Sequence, residues 1–188
     1  MAQFRLGSCS RSREQEVTIV NVIHQIIEDD GDIPNNSQLP LILYKGALKT
    51  RTNDPDAEFQ VLFHSNNWGN GWRDQVIFSC HHYHAEAHEV VGIAQGQATI
   101  QFGGPDGPVF DVEAGDVALI PAGVGHCRLD DEPGLSVVGA YPPGQSADVK
   151  RQGEADGEGI RCTVRAVPLP ATDPVGGSDG AAIKLWVS

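Results

Sequence analysis

Short apolar runs, each long enough for one strand, follow one another through the middle of the chain and are separated by turns rich in glycine and proline. The runs are 89–93, 98–102, 109–112, 117–120, 127–129 and 135–139. A regular series of short strands with turn signals between them is typical of an all-β sandwich or barrel. The hydrophobic pattern therefore predicts an all-β fold.

Further strands are predicted on either side of this series. Residues 17–27 are rich in valine and isoleucine, which favours an edge strand, and residues 41–44 form a second apolar run. Residues 75–84 alternate and are interpreted as one more strand. Near the end of the chain, residues 162–167 and 183–187 are expected to be short strands or extended segments that pack back on the barrel.

One helix is predicted, from Pro55 to Asn66. A proline at the first helical position, a capping residue before it and acidic residues in the first turn are helix-start signals. Phe59, Leu62 and Phe63 recur at helical spacing, so this helix should cover one side or end of the barrel.

The glycine-rich segment 68–73, which contains Trp68 and Trp72, is expected to be a loop. It could form the lid or wall of a ligand pocket. The interpretation that we favour is that the two tryptophans plug a barrel end, because aromatic side chains dominate packing.

The 188 residues fit one domain, and the net charge of −12 with a pI near 4.8 argues against nucleic-acid binding and against attraction to an anionic membrane. No apolar run reaches the ~20 residues that a membrane helix needs. The four cysteines have no regular spacing, so free thiols and a cytoplasmic location are expected.

Residues 1–13 lack the apolar core of a secretory signal. With three arginines and no acidic residue, they faintly resemble an organellar transit peptide. A flexible tail over residues 1–16 is the interpretation that we favour.

Four of the seven histidines stand close together just before Glu89. In an extended strand, side chains two residues apart share a face, so His82 and His84 point the same way, together with Phe78 and Cys80. Neutral imidazoles and a carboxylate suit a divalent metal. The cluster predicts a metal site, with a histidine-rich surface loop as the alternative.

A second segment, GDVALIPAGVGH, begins at Gly115 and ends at an isolated histidine, His126. Together the two segments resemble the paired motifs of the cupin superfamily, G-x5-H-x-H-x3/4-E-x6-G and G-x5-P-x-G-x2-H-x3-N. The positions that match are His82, His84, Glu89, Gly96, Gly115, Pro121, Gly123 and His126. Val76 stands in place of the opening glycine, and Asp130 replaces the final asparagine, which puts only a loop contact in doubt.

Other segments resemble a group of small, largely uncharacterised bacterial and fungal single-domain cupins. They are 29–35, 67–69, 81–84, 102–104, 139–142, 167–170 and 173–175. The resemblance covers residues 17–188 and implies one cupin domain with a metal-binding core at about 74–141. The implied fold is a single double-stranded β-helix, or jelly-roll barrel, with an N-terminal helix and flanking extensions.

The resemblance also implies that His82, His84, Glu89 and His126 hold one divalent transition metal, which could be Fe, Mn, Ni, Co or Zn. In octahedral geometry these four ligands leave two positions open for water, substrate or O₂. Glu89 could instead leave the metal and act as a general base. His88 could replace His84 if the turn between the strands shifts in register.

The expected function is that of a metal-dependent enzyme, an oxygenase or an isomerase, acting on a small polar organic molecule. The alternative is a non-catalytic, metal-containing module that binds a small ligand, because no second catalytic group beyond Glu89 stands out. A symmetric homodimer is expected, since cupins are commonly dimers and symmetric dimers are the usual oligomer.

Overall fold

The computed structural model describes residues 21–154 and 157–187. Within these residues the chain forms eleven strands and three helices. The strands are β1 (Asn21–Ile27), β2 (Asn36–Lys45), β3 (Gly69–Asp74), β4 (His82–Tyr83), β5 (Glu89–Gln95), β6 (Gln97–Phe102), β7 (Val109–Glu113), β8 (Val117–Ile120), β9 (His126–Asp131), β10 (Ser136–Tyr141) and β11 (Lys150–Arg151). The helices are α1 (Pro55–Ser65), α2 (Glu158–Ala166) and α3 (Ala181–Leu185). The predicted tail over residues 1–16 and the start of the predicted strand 17–27 lie outside the described residues.

The strands form two antiparallel sheets, as in a jelly roll. The first has the order β1-β2-β8-β5-β10-β3, and the second has the order β11-β4-β9-β6-β7. The crossovers between the sheets place β4 and β9 opposite the end of β5. The all-β prediction is confirmed, and β1 lies at a sheet edge as expected.

The inner strands of the first sheet, such as β5 and β8, are buried on both faces, because other elements cover both sides of the sheet there. In β8, Ala118 and Ile120 point into the space between the sheets, whereas Val117 and Leu119 point outward. The outward face is covered by α1 and α3. Two separate apolar cores result, an inner core between the sheets and an outer core under the helices.

Helix α1 begins where the sequence predicts. Asp54 caps it by accepting the N–H of Ala57 at 3.0 Å, and Pro55 is its first residue. Phe59 is fully buried against β5, where a Cβ at Gly92 would lie 2.4 Å from the Phe59 ring. The absence of a side chain at that position therefore lets the helix pack closely on the sheet.

Two predicted segments before β5 differ from the structure. Residues 69–74 form the edge strand β3 rather than a loop, since they pair with β10. Only His82 and Tyr83 of the predicted strand 75–84 are in a strand, so Cys80 is exposed instead of facing the interior.

The predicted terminal strands are the helices α2 and α3. Ile160 and Val164 of α2, and Val167 directly after it, follow helical spacing and pack on the apolar cluster around Tyr83. This packing outweighs the strand propensity of the β-branched residues. None of the helices in the described part of the chain is long and apolar enough to cross a membrane.

Candidate metal centre

Three histidines meet at one end of the space between the sheets. His82 in β4 lies directly opposite His126 in β9, and their ring centroids are 4.0 Å apart. His84, two residues beyond His82, follows on the same side, as the sequence predicts. All three side chains are buried, and their ligating atoms lie within 4.8 Å of one another.

Each of these imidazoles is held from behind by a backbone carbonyl. Nδ1 of His82 lies 3.2 Å from the carbonyl oxygen of Cys80, and Nδ1 of His126 lies 3.3 Å from that of Val124. Nδ1 of His84 contacts the carbonyl of Asp148. A carbonyl can only accept, so each Nδ1 carries the proton and each Nε2 keeps its lone pair for the site.

Glu89, the first residue of β5, brings a carboxylate to the same point from the other sheet. Its Oε2 lies 3.3 Å from Nε2 of His84 and 3.4 Å from Nε2 of His126. Two ligand atoms bound at right angles about 2.1 Å from one metal would be about 3.0 Å apart, so the observed spacing fits adjacent ligands.

A hydrogen-bonded chain fixes the other oxygen of Glu89. The hydroxyl of Tyr141 donates to Oε1 of Glu89 at 2.8 Å and accepts from Nε1 of Trp72 at 2.9 Å. The three residues come from neighbouring strands, β5, β10 and β3. Sequence reasoning missed Tyr141, although strand alternation was a usable signal. Val137 faces the inner core, and Gly139 and Tyr141 follow it at steps of two residues along β10.

The electrostatics of the cluster favour a positive charge between these groups. Burial and the neighbouring His126 lower the pKa of His82 to about 3, so its ring is neutral. Burial alone would raise the pKa of Glu89, but His84 and His126 outweigh it and the pKa lies well below its usual value. Burial alone would lower the pKa of His84, but Glu89 and the Asp148 carbonyl outweigh it and raise that pKa.

These residues fit a divalent metal. A carboxylate facing the lone pairs of two imidazoles at 3.3–3.4 Å is repulsive unless a proton or a cation lies between them. The carboxylate of Glu89 raises the pKa of His84, in line with a proton in this role. A divalent cation would satisfy all the groups at once, and nitrogen and oxygen donors suit a transition metal.

The site opens into a cavity of about 190 Å³ between the sheets. Its inner wall is apolar and includes Ile93, Phe102 and Ile120. Val76, Phe78 and Val149 line the mouth and are 43 %, 51 % and 53 % exposed.

Trp72 also lines the cavity, so this tryptophan belongs to a pocket wall. Trp68 packs instead in the outer core, where its Nε1 donates to the carbonyl of Thr172 at 2.9 Å. The favoured interpretation of the two tryptophans as a plug is therefore wrong for Trp72.

His88 lies away from the other three histidines. It is fully buried, its ring packs on Trp186 at a centroid distance of 4.8 Å, and its Nδ1 accepts the N–H of Ala122 at 2.9 Å. The structure therefore places His84, and not His88, beside Glu89. Of the predicted free thiols, those of Cys80, Cys127 and Cys162 are free, and Cys9 lies outside the described residues.

Comparison with known proteins agrees with this geometry. The model of the Cupin family matches residues 79–145, which include all four residues of the cluster. The chain is also 40 % identical over 159 residues to the uncharacterized protein YjlB of Bacillus subtilis (strain 168), an alignment that covers 85 % of this chain and 93 % of YjlB. The chain belongs to the cupin family.

This cupin is similar to several solved structures at low sequence identity. It is 18 % identical to Bacillus subtilis oxalate decarboxylase, a protein with Mn(II) centres, over 61 % of this chain and 24 % of that one, with a TM-score of 0.32. It therefore spans about a quarter of that protein's length. It is 19 % identical to a DUF861 family protein of Thermotoga maritima, over 50 % of this chain and 94 % of that one, with a TM-score of 0.29.

A third similar structure is the acireductone dioxygenase of Bacillus anthracis with a cadmium ion in its active centre. The identity is 18 % over 54 % of this chain and 76 % of that one, and the TM-score is 0.35.

Proposed function

We propose that this cupin is a metal-dependent enzyme that binds one divalent transition metal through His82, His84, His126 and Glu89. The observation that carries the proposal is the convergence of three imidazole nitrogens and a carboxylate, each held from behind, in the wall of a cavity. Groups fixed in this way do not have to reorganise when a cation binds, which favours both affinity and catalysis.

The residues present divide the work between them. A bound metal of this type supplies Lewis acidity and open positions for a substrate or O₂. The apolar wall excludes water from the reacting group, and Tyr141 holds the Glu89 carboxylate in one orientation. Glu89 is the proposed catalytic residue, since its carboxylate faces the cavity and can accept a proton from a ligand there.

The reaction class that we propose is oxidation by O₂ or isomerisation of a small organic molecule with a polar group that reaches the metal. Fe, Mn, Ni, Co and Zn all suit the donor set. The rival function is a metal-containing binding module without turnover. It is favoured by the small number of polar groups in the cavity, where Glu89 and Tyr141 already bond to each other.

Metal analysis of wild type and two histidine variants tests the proposal. We expect about one metal per chain in wild-type protein that is purified without a histidine tag and reconstituted. His126→Ala should lose that metal. His64→Ala should retain it, because the His64 side chain is exposed at the end of α1. Wild-type metal content in His126→Ala would refute the ligand assignment. If the wild type binds no metal, the proposed function is wrong.

The bound metal then directs the assay for turnover. Iron calls for measurement of O₂ uptake with small-molecule libraries, whereas another metal calls for a search for isomerised products. A ligand that stabilises the protein but yields no product would favour the binding module.

The organisation of the chain stays a prediction. We propose one domain over residues 17–188, a cytoplasmic location and a symmetric homodimer. The edge strand β1, whose side chains are mostly exposed, gives the dimer a physical basis. Light scattering in solution measures this oligomeric state directly.

A further inference from the structure

The inner part of the cavity offers a ligand almost no hydrogen-bonding partners. Its wall consists of buried apolar side chains from both sheets. They are Val91, Ile93, Ile100, Phe102, Val112, Ala118 and Ile120. Polar groups without partners are costly to bury in such a space, so the part of a ligand that lies there must be apolar.

The volume limits the size of that apolar part. An apolar cavity of about 150 Å³ stays free of water and holds benzene. At about 190 Å³, the cavity has room for one aromatic ring or a branched aliphatic group of similar size beside the metal-binding groups.

The charges around the cavity limit the charge of the ligand. Among the described residues that line it, Glu89 and Asp74 are acidic and none is lysine or arginine. A divalent metal with Glu89 leaves one net positive charge, which a singly negative ligand head neutralises. A second negative charge would lie in an apolar space without a partner and near Asp74, which is costly.

We infer that the ligand class of this site is a small molecule with an apolar body about the size of one ring and a single metal-binding head of at most one negative charge. This inference rests on the proposed function and narrows the expected polar molecule to an amphiphilic one. Small dicarboxylates and tricarboxylates are excluded from the class.

Three probes that share a hydroxamate head test the inference on the Co(II)-loaded protein. Acetohydroxamic acid has a methyl body, benzohydroxamic acid has a phenyl body, and the monohydroxamate of succinic acid has a carboxylate at its far end. Titration followed by the visible Co(II) spectrum gives each affinity. We expect benzohydroxamic acid to bind at least tenfold more tightly than acetohydroxamic acid. The succinic probe should bind at least tenfold more weakly than acetohydroxamic acid.

Ala118→Leu places extra carbon atoms in the cavity, since Ala118 faces it from β8. The variant should weaken benzohydroxamic acid about tenfold or more, while acetohydroxamic acid and the Co(II) content change less than about twofold. Equal affinities of the methyl and phenyl probes in wild type, or tighter binding of the succinic probe, would overturn the inference even if Ala118→Leu does not fold.

The two proposals fail in different ways. If wild type takes up no Co(II), the proposed function is wrong. The preference of the cavity for an apolar group is then tested by adding benzene to the metal-free protein. Benzene should raise the Tm of metal-free wild type and leave that of Ala118→Leu unchanged. If Co(II) binds but the size and charge preferences are absent, only the ligand class is wrong.

Discussion

His88 should make the stability of the fold depend on pH, because its neutral form is built into the outer core. Its ring is fully buried against Trp186, and its Nδ1 accepts the N–H of Ala122 at 2.9 Å. A protonated Nδ1 could not accept this hydrogen bond. Burial accordingly lowers the pKa of His88 from 6.5 to about 4.

The direction of this pH dependence follows from the number of protons that the folded and the unfolded chain bind. Since the pKa is lower in the folded chain, the unfolded chain binds more protons between pH 6.5 and about 4. The stability contributed by the neutral ring is fully present above pH 6.5 and is lost as the pH falls towards 4. The full pKa shift of His88 corresponds to about 3 kcal/mol in the free energy of unfolding, of which about 2 kcal/mol is lost by pH 5.

Urea denaturation of metal-free wild type and His88→Asn at pH 8 and pH 5 measures this effect. Oδ1 of the asparagine can accept the Ala122 N–H in place of Nδ1, and the side chain does not titrate. Groups such as His82 titrate in both proteins, so the difference between them isolates His88. We expect wild type to lose about 2 kcal/mol more than His88→Asn between the two pH values.

His24→Asn, the same substitution at an exposed histidine, provides a matched control. Equal pH dependence in wild type and His88→Asn would refute the reasoning. A loss of metal from His88→Asn would show that His88 is a ligand after all.

Two further predictions concern the hydrogen-bonded residues Tyr141 and Trp72, which hold Glu89 in place. Tyr141→Phe removes the hydroxyl that fixes Glu89, so Co(II) affinity measured by chelator competition should fall about tenfold or more; unchanged affinity would show that Glu89 is held without it. Gly139→Ala places a Cβ 2.1 Å from the Trp72 indole, and overpacking should lower the free energy of unfolding in urea by about 1–3 kcal/mol. Gly69→Ala is the control, because Gly69 lies on the same strand as Trp72 and nothing lies within 4 Å of the added Cβ. It should change the free energy of unfolding by less than about 0.5 kcal/mol. Equal effects of the two variants would contradict the role of Gly139.

Local patterns in the sequence determined many of the strands and the first helix. The apolar run from Val117 to Ile120 is a strand with these bounds, and Asp54 and Pro55 start the predicted helix. The spacing of His82 and His84 placed both on one side of the chain. Each of these features depends on residues only a few positions apart, which a local pattern can encode.

Contacts between distant parts of the chain decided the rest. The segment that predicts a strand at 162–167 is a helix because Val164 packs against a cluster built from Tyr83 and Ala122. Trp72 and Tyr141 join Glu89 only because β3, β10 and β5 are neighbours in the first sheet. No local periodicity specifies which strands become neighbours.

The division of roles between His84 and His88 shows the same limit. Both lie in the histidine-rich segment, and local alternation there is interrupted by a turn. Asp148 accepts the N–H groups of Ala85 and Glu86 at 2.8 and 3.0 Å, and Gln145 accepts that of His88 at 2.9 Å. The sequence by itself determined which residue types could bind a metal. Only the tertiary structure decided that His84 faces Glu89 and His88 faces the core, since these side-chain hydrogen bonds come from residues about sixty positions away.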